Sequence, residues 1–334
     1  MLIPSRPEIA AAHSATWRSL DILETLPEER FDRITRLCRR LFDVPIALVS
    51  LLDSERQAFK SSSEPLRGAT PRDISFCGHA ILGDDVFVVC DTLADERFHD
   101  NPLVIGAPYI RFYAGYPLTV THDLKLGTLC LMDYKPNHLD DDERESLRDL
   151  GHMVEREIIA FQLAISDELT SVANRRGFET IAEHALNLCR RAGKPASLVY
   201  FDLNNFKKIN DRHGHSEGDH ALATFARVLK SVFRDGDVVG RLGGDEFVVF
   251  LADSNLEQAS GSVDRVREAL AAGRDATSRA YDISFSVGQI QFDPARHSCV
   301  GDMVMEADKA MYSNKKTSRA QPPPAARQRT LPLP

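Results

Sequence analysis

The run RLGGDEFVVFL, Arg241 to Leu251, restricts the fold of this chain more than any other stretch. Two strand-like segments flank a pair of glycines, and a glycine pair supplies the positive φ that a two-residue hairpin needs, so the run reads as two antiparallel strands. Asp245 and Glu246 follow Gly243 and Gly244 at once, which sets carboxylates beside bare backbone that a phosphate can approach. Upstream, the apolar run LVYF ends in Asp202, a further acid at the end of a strand. Acids converging from Asp202, Asp245 and Glu246 repel one another unless a divalent cation sits among them, and oxygen-only ligands favour magnesium. The plainer alternative is an ordinary hairpin with solvated acids; the second acid position favours the metal.

From Asp167 onward the pattern runs helix, strand (PASLVYFDL), helix, strand (DVVGRL), turn, strand (EFVVFLA), helix, strand (ISFSVGQIQF) and helix (GDMVMEADKAMYSNKK), which predicts a β-α-β-β-α-β core of ferredoxin-like or palm type. Before it, an amphipathic helix is expected from Leu20 to Leu41, broken near Pro27. The segments PIALVSLLD, VFVVCD, FYAGYPLTV and KLGTLCLMD predict an antiparallel sheet with flanking helices. Between Asp140 and Asp167, Leu147, Leu150, Val154, Ile158, Phe161 and Ile165 recur by threes and fours. That spacing predicts a long helix whose narrow apolar seam pairs with its own copy. The fold class is α/β of the α+β kind, with an extension over 1–19, a first domain over 20–145, a linker helix over 140–167 and a second domain over 167–319. The Pro-rich stretch 320–334 has too few apolar residues to pack.

A formal net charge of -8 argues against a polyanion held by bulk electrostatics, so no nucleic-acid partner is expected. The six cysteines are scattered singly, without metal-ligand spacing, and imply neither a zinc site nor a disulfide framework. A reducing, cytoplasmic location is the expectation. The N-terminus lacks a basic segment followed by an apolar one, and no later run is long and apolar enough to insert in a membrane.

The second half resembles a GGDEF domain of the diguanylate cyclase family. The resemblance rests on Gly243-Gly244-Asp245-Glu246-Phe247 together with DELTSVANRRGF, FDLNNFKKINDRHGHSEGD, SFSVG and ADKAMYSNKKTSR in family order. It implies condensation of two GTP into cyclic di-GMP and two pyrophosphates. On that resemblance Asp202, Asp245 and the carbonyl of Leu203 bind Mg2+ or Mn2+, Glu246 supports a second metal position, and Asp245 is the candidate proton acceptor. Asn210 and Asp219 match guanine-reading positions, since an amide and a carboxylate satisfy an edge that adenine leaves unpaired. Phe206, Lys207 and His215 fall at pocket positions, and Lys315 and Arg319 at phosphate-holding ones; a core aromatic, a braced loop and a solvated last turn are the respective alternatives. Arg234 and Asp237 resemble the family's Arg-x-x-Asp inhibitory product site, with Arg265 as an accessory; a charged turn is the alternative. Ser171, Asn204, Asn314, Ser318 and Ala320 depart from the family pattern. A two-fold product made from one GTP per domain implies a homodimer.

Residues from about Leu20 to Glu145 resemble a GAF domain through RQAFKSSSEPLRGATPRDISFCGHAIL, DERFHDNPLVIGAPYIRFYAGYPL and LGTLCLMD. The resemblance implies a sensor or dimerisation platform whose ligand is unknown. Cys77 and His79 suggest a bilin or metal pocket, or else a buried thiol and a satisfied histidine; Arg111, Tyr113 and Cys90 are further pocket candidates. Two other readings of the chain stay open: a catalytically silent receptor for GTP or cyclic di-GMP, and a class III cyclase or polymerase palm.

Overall fold

The computed structural model describes residues 2, 4, 29–52, 56–61, 69–121, 124–234, 236–276 and 281–320. The start of the expected first helix, 20–28, and the stretch 321–334 lie outside them, as does the extension 1–19 apart from residues 2 and 4. The chain divides into two compact units, Met1–Ala164 and Ile165–Pro334.

In the first unit α1 (Glu29–Leu41) leads into β1 (Ile46–Leu52), β2 (Arg56–Ser61), β3 (Ala69–Pro71), α2 (Phe76–Ala80), β4 (Phe87–Val89), α3 (Pro102–Ile105), β5 (Phe112–Thr121), β6 (Leu124–Asp133) and the long α4 (Asp141–Ile165). The six strands form one antiparallel sheet in the order β3-β2-β1-β6-β5-β4. β2 and β3 carry no run of β-branched residues and escape a pattern search. Helices cover both faces of the sheet. Ala47, Val49 and Leu51 of β1 enter a layer with α1 and α4, whereas Ile46, Leu48 and Leu52 enter a layer with α2. Burial on both sides is why this strand reads as a continuous apolar run instead of an alternating one.

α4 corrects the expectation of a seam free to pair with a second copy. Leu147, Leu150, Val154 and Ile158 are all buried in the first unit's own core, and Phe161 packs against it. Each such side chain contributes about 1.5–3 kcal/mol by burial. Glu155 adds a polar tie: its carboxylate accepts from the Thr119 amide at 2.6 Å and from His152 Nδ1 at 2.8 Å. Periodicity showed that one helix face is buried, and the uncovered sheet supplied what buries it.

The second unit comprises α5 (Arg175–Ala192), β7 (Ala196–Leu203), α6 (Phe206–His213), α7 (His215–Val232), β8 (Val238–Gly243), β9 (Glu246–Ala252), α8 (Leu256–Ala276), β10 (Phe285–Gln291) and α9 (Val300–Ala320). Its antiparallel sheet has the order β10-β7-β9-β8, so in chain order the strands lie fourth, first, third, second, the ferredoxin-like arrangement. The helix expected between β7 and β8 is two helices, turning at Gly214. Alternation along β7 decides which side holds the chemistry. Val199, Phe201 and Leu203 face α7 and α8, while Leu198 and Tyr200 face α5 and α9. Asp202 has the parity of Tyr200 and so points to the α9 side. α9 lies directly on β10 because residue 288 is glycine: a side chain there would come within 2.0 Å of the Ala307 carbonyl oxygen.

Candidate active site

The glycine turn and the end of β7 build one acidic corner. Asp202 pairs directly with Glu246 across β7 and β9, which puts the two carboxylates side by side on the α9 face. The Leu203 amide donates to the Asp245 carbonyl oxygen at 3.1 Å, locking the turn to the strand end. Gly243 has φ 152° and Gly244 φ 47°, and a side chain at either would meet nothing within 4 Å. The loop proper is Gly244-Asp245, one residue later than the glycine pair suggested, because Gly243 still pairs with Glu246.

Lys315 reaches this corner from α9, and its ammonium donates to Asp202 Oδ1. A cleft of about 360 Å³ opens there, lined by Asp202, Glu246, Asp308, Met311, Tyr312, Lys315 and Lys316. Burial holds the Asp245 carboxyl above its ordinary pKa; the neighbouring Asp202 charge pushes the same way, and Lys315 and Arg241 oppose it. Tyr200, fully inside the sheet, has its hydroxyl raised by burial first and by the Glu246 carboxylate second. Among the described residues, no three His, Cys, Asp or Glu side chains are gathered tightly enough to hold an ion by themselves. The corner nonetheless suits a hard cation, since its donors are oxygens and the Lys315 ammonium already serves as a positive charge on Asp202.

The other expected site residues divide into several places. Phe206 opens α6 and packs on the inner core, while Lys207 is exposed. The Asn210 amide lies over Gly218, next to Asp219, so these two candidates share one corner at the α6–α7 turn. His215 and Asp219 are exposed there. Arg319 stands in the last turn of α9, and its side chain lies outside the described residues, as do those of Ser318 and Ala320. Arg234 and Asp237 come together at the other end of the sheet: Arg234 Nε lies 3.5 Å from Asp237 Oδ1, and its guanidinium also donates to the carbonyls of Ala252 and Asp253. Asp235 lies outside the described residues. Burial raises the Asp237 carboxyl against the pull of Arg234. Arg265 donates instead to Ser262 on its own helix at 2.9 Å.

In the first unit Cys77 and Tyr113 are both buried in the layer beneath α2. His79 does not join them as a metal pair would require. Its Nε2 lies 3.0 Å from the Leu2 carbonyl, its ring meets Phe98 edge-on, and burial lowers its pKa. Arg111 donates to the carbonyls of Val104 and Ile110, holding the loop before β5. Cys90 is exposed.

Sequence reasoning passed over two groups. Asp308, Tyr312 and Lys316 share the cleft with Lys315, and the spacing 308, 312, 315 along one helix face was the available signal. Arg241 bridges Asp167, at 3.1 Å, and the Gly244 carbonyl, at 2.7 and 3.0 Å. Nothing in their separate positions on the chain tied Asp167 to the turn.

Known proteins share both halves of the chain. Residues 164–321 match the family model described as diguanylate cyclase, GGDEF domain, and residues 26–158 match the GAF domain model. Over 136 residues the chain is 45% identical to the cyclic di-GMP phosphodiesterase PA2567 of Pseudomonas aeruginosa, covering 41% of this chain and 23% of that one. It is 36% identical over 157 residues to the probable diguanylate cyclase DgcC of Escherichia coli K12, covering 47% and 42%. Over 302 residues it is 30% identical to the diguanylate cyclase DgcP of Pseudomonas aeruginosa, covering 84% and 44%. The chain thus spans less than half the length of each of these three relatives.

Proposed function

From a chain in which a GAF domain is followed by a GGDEF domain, we propose a GAF-regulated diguanylate cyclase that joins two GTP into cyclic di-GMP and releases two pyrophosphates. The observation that carries this reading is the pairing of Asp202 with Glu246 beside an open glycine turn, faced by Lys315 across the cleft.

Asp202, Asp245, Glu246 and the Leu203 carbonyl would hold Mg2+ or Mn2+, which supplies charge neutralisation at the phosphates and acidifies the attacking ribose 3′-hydroxyl. Asp245, whose burial raises its proton affinity, takes the hydroxyl proton. Gly243 and Gly244 let the triphosphate lie against the backbone, and Lys315, with Arg319 one turn on, receives its β and γ phosphates. Asn210 and Asp219 read guanine from the α6–α7 corner, with Phe206, Lys207 and His215 around them. One pocket presents one GTP, so the symmetric product requires two domains facing each other in a homodimer. All six cysteines are free, and among the described residues no helix is long and apolar enough to cross a membrane, which fits work in the cytoplasm.

The test is direct. Purified chain given GTP and Mg2+ should form a cyclic dinucleotide, and ATP should yield none. Asp245→Ala should lower the rate by orders of magnitude with its thermal midpoint retained. An unchanged rate would remove the site, and binding without turnover in the wild type would establish the silent receptor.

Arg234 and Asp237 form the product-inhibition site in this proposal, since their guanidinium and carboxylate match the acceptors and donors of a guanine edge. Arg234→Ala should relieve inhibition by added cyclic di-GMP and leave the initial rate within about twofold, as expected for a site outside the reacting groups. Equal sensitivity in both proteins would exclude this role.

A further inference from the structure

The first unit buries two thiols against each other, and the proposed cyclase chemistry uses neither. Cys77 belongs to α2 and Cys130 to the middle of β6, and their Sγ atoms lie 3.7 Å apart with both side chains fully buried. The layer around them is otherwise apolar, yet polar groups gather at this one spot. Gln57 Nε2 donates to Cys77 Sγ at 3.1 Å, and Gln57 is held in turn by the Ser75 hydroxyl. Ser50 and Thr128 share a hydrogen bond of 3.1 Å beside the pair. The Tyr113 hydroxyl, fully buried, has no partner in full hydrogen-bond geometry and lies within reach of the Cys77 sulfur.

These groups make the two sulfurs unequal. Burial alone would raise the Cys77 thiol, but the neighbouring Cys130 thiol and the hydroxyls of Ser50, Thr128 and Tyr113 pull it below the ordinary thiol value. Cys130 is held well above the ordinary thiol value, by burial first and then by Cys77. Cys38, buried without such donors, shows the contrast: burial pushes it up to about 12. One sulfur is suited to attack and its neighbour to follow, the division of labour that a two-thiol redox site requires.

We propose that Cys77 and Cys130 form a reversible dithiol–disulfide site, oxidised by a hydroperoxide and restored by a small thiol. The Cys77 thiolate attacks the peroxide oxygen: an S–O bond forms, the O–O bond breaks, and the alkoxide or hydroxide leaves with a proton as alcohol or water. Cys130 then gives up its proton and attacks the Cys77 sulfur, the S–O bond breaks, and water leaves. Two thiols lose two electrons and one hydroperoxide gains them. Two molecules of small thiol reverse the change by exchange and depart as their own disulfide. Disulfide bonding brings the sulfurs to about 2.05 Å, an approach of about 1.7 Å. Cys130 is paired on both sides, with Leu48 and Gly115, so the short helix α2 is the part that moves. Full burial restricts the oxidant to small molecules, because a bulky aromatic disulfide reagent reaches only exposed thiols such as Cys90.

The experiment treats the folded full-length chain with graded hydrogen peroxide, then unfolds it, alkylates it and maps its peptides. The expected result is a loss of two alkylatable thiols from the six in the sequence, a linked peptide pair containing Cys77 and Cys130, and full recovery with dithiothreitol. In Cys130→Ser, Cys77 should be left as a sulfenic acid, which dimedone present during unfolding should trap. The proposal is overturned if Cys77 and Cys130 both remain alkylatable at doses that oxidise Cys90, or if their loss resists dithiothreitol. Should Cys130→Ser fail to fold, the wild-type peptide map decides alone.

Discussion

Lys315 holds opposed duties at the level of single residues. Its ammonium sits on Asp202, the strand-end acid that the metal reading needs, and in the proposed function the same charge would serve the nucleotide's phosphates. The like charges of a divalent cation and the ammonium would repel each other at Asp202, so a bound cation would favour Lys315 turning toward the triphosphate. Removing the charge should help the metal and hurt the nucleotide. Lys315→Met should bind Mn2+ at least about tenfold tighter in nucleotide-free protein, because a unit charge at about 4 Å is worth about 1 kcal/mol per charge pair even in bulk water and about 4 kcal/mol near a protein surface, and should bind GTP more weakly. Manganese titration followed by electron paramagnetic resonance reads the first effect. Equal affinity in both proteins would show that Lys315 does not compete at Asp202.

Between elements, the acidic turn is held by contacts that begin where α4 ends. Asp167 accepts from the Thr170 amide and hydroxyl at 2.9 and 2.6 Å and from Arg241, which in turn grips the Gly244 carbonyl. The segment after α4 joins β8 through the Ala173 amide to Val239 and the Arg241 amide to Ala173. Ser171 sits at φ 53°, in the left-handed region, and its amide donates to the Asp167 carbonyl at 2.8 Å. Burial raises the Asp167 carboxyl, but Thr170 and Arg241 outweigh it and hold its pKa below the ordinary 3.8. A depressed carboxyl stabilises the fold above its ordinary pKa, and that stability is lost as pH falls through the lower folded value. Asp167→Asn should therefore cost about 1 kcal/mol at neutral pH. The gap from wild type should close below pH 3.8, as read by urea unfolding at two pH values. The looser turn should lower kcat more than it raises KM. A gap that persists unchanged in acid would place the role of Asp167 outside its charge.

For the whole molecule, α4 is the one continuous element that passes from the first unit to the second. Its seam up to Phe161 belongs to the first unit's core, and Ile165 lies against Gly177 of the second. In the proposed coupling between a sensor and a paired cyclase, the last turn of α4 is therefore the part of the helix left to carry the signal. An insertion after Glu155 would drive Ile158 and Phe161 out of the core and unfold the first unit's helix packing. An insertion after Gln162 leaves that core intact and rotates every later residue of the helix by about 100°. The second insertion should change cyclase activity with little change in the first unit's melting, measured by calorimetry beside the rate. Flat activity across one, two and three inserted residues would reduce the helix to a tether.

Local pattern was enough for much of this protein, because strand alternation, glycine turns and helix spacing are written in adjacent residues. The strands PASLVYFDL and EFVVFLA, the turn between Gly243 and Glu246, and the long helix from Asp141 are legible for that reason. What only the tertiary structure decided are contacts between distant residues of similar local appearance. Asp167 and Arg241 are 74 residues apart and Lys315 and Asp202 are 113 apart, and no period in the chain relates them. The seam of α4 looked like an interface because a buried helix face carries the same spacing whether a second helix or a sheet covers it. Cys77 and Cys130 read as isolated thiols, since 53 residues separate them, and only the packing of α2 on β6 set their sulfurs in contact.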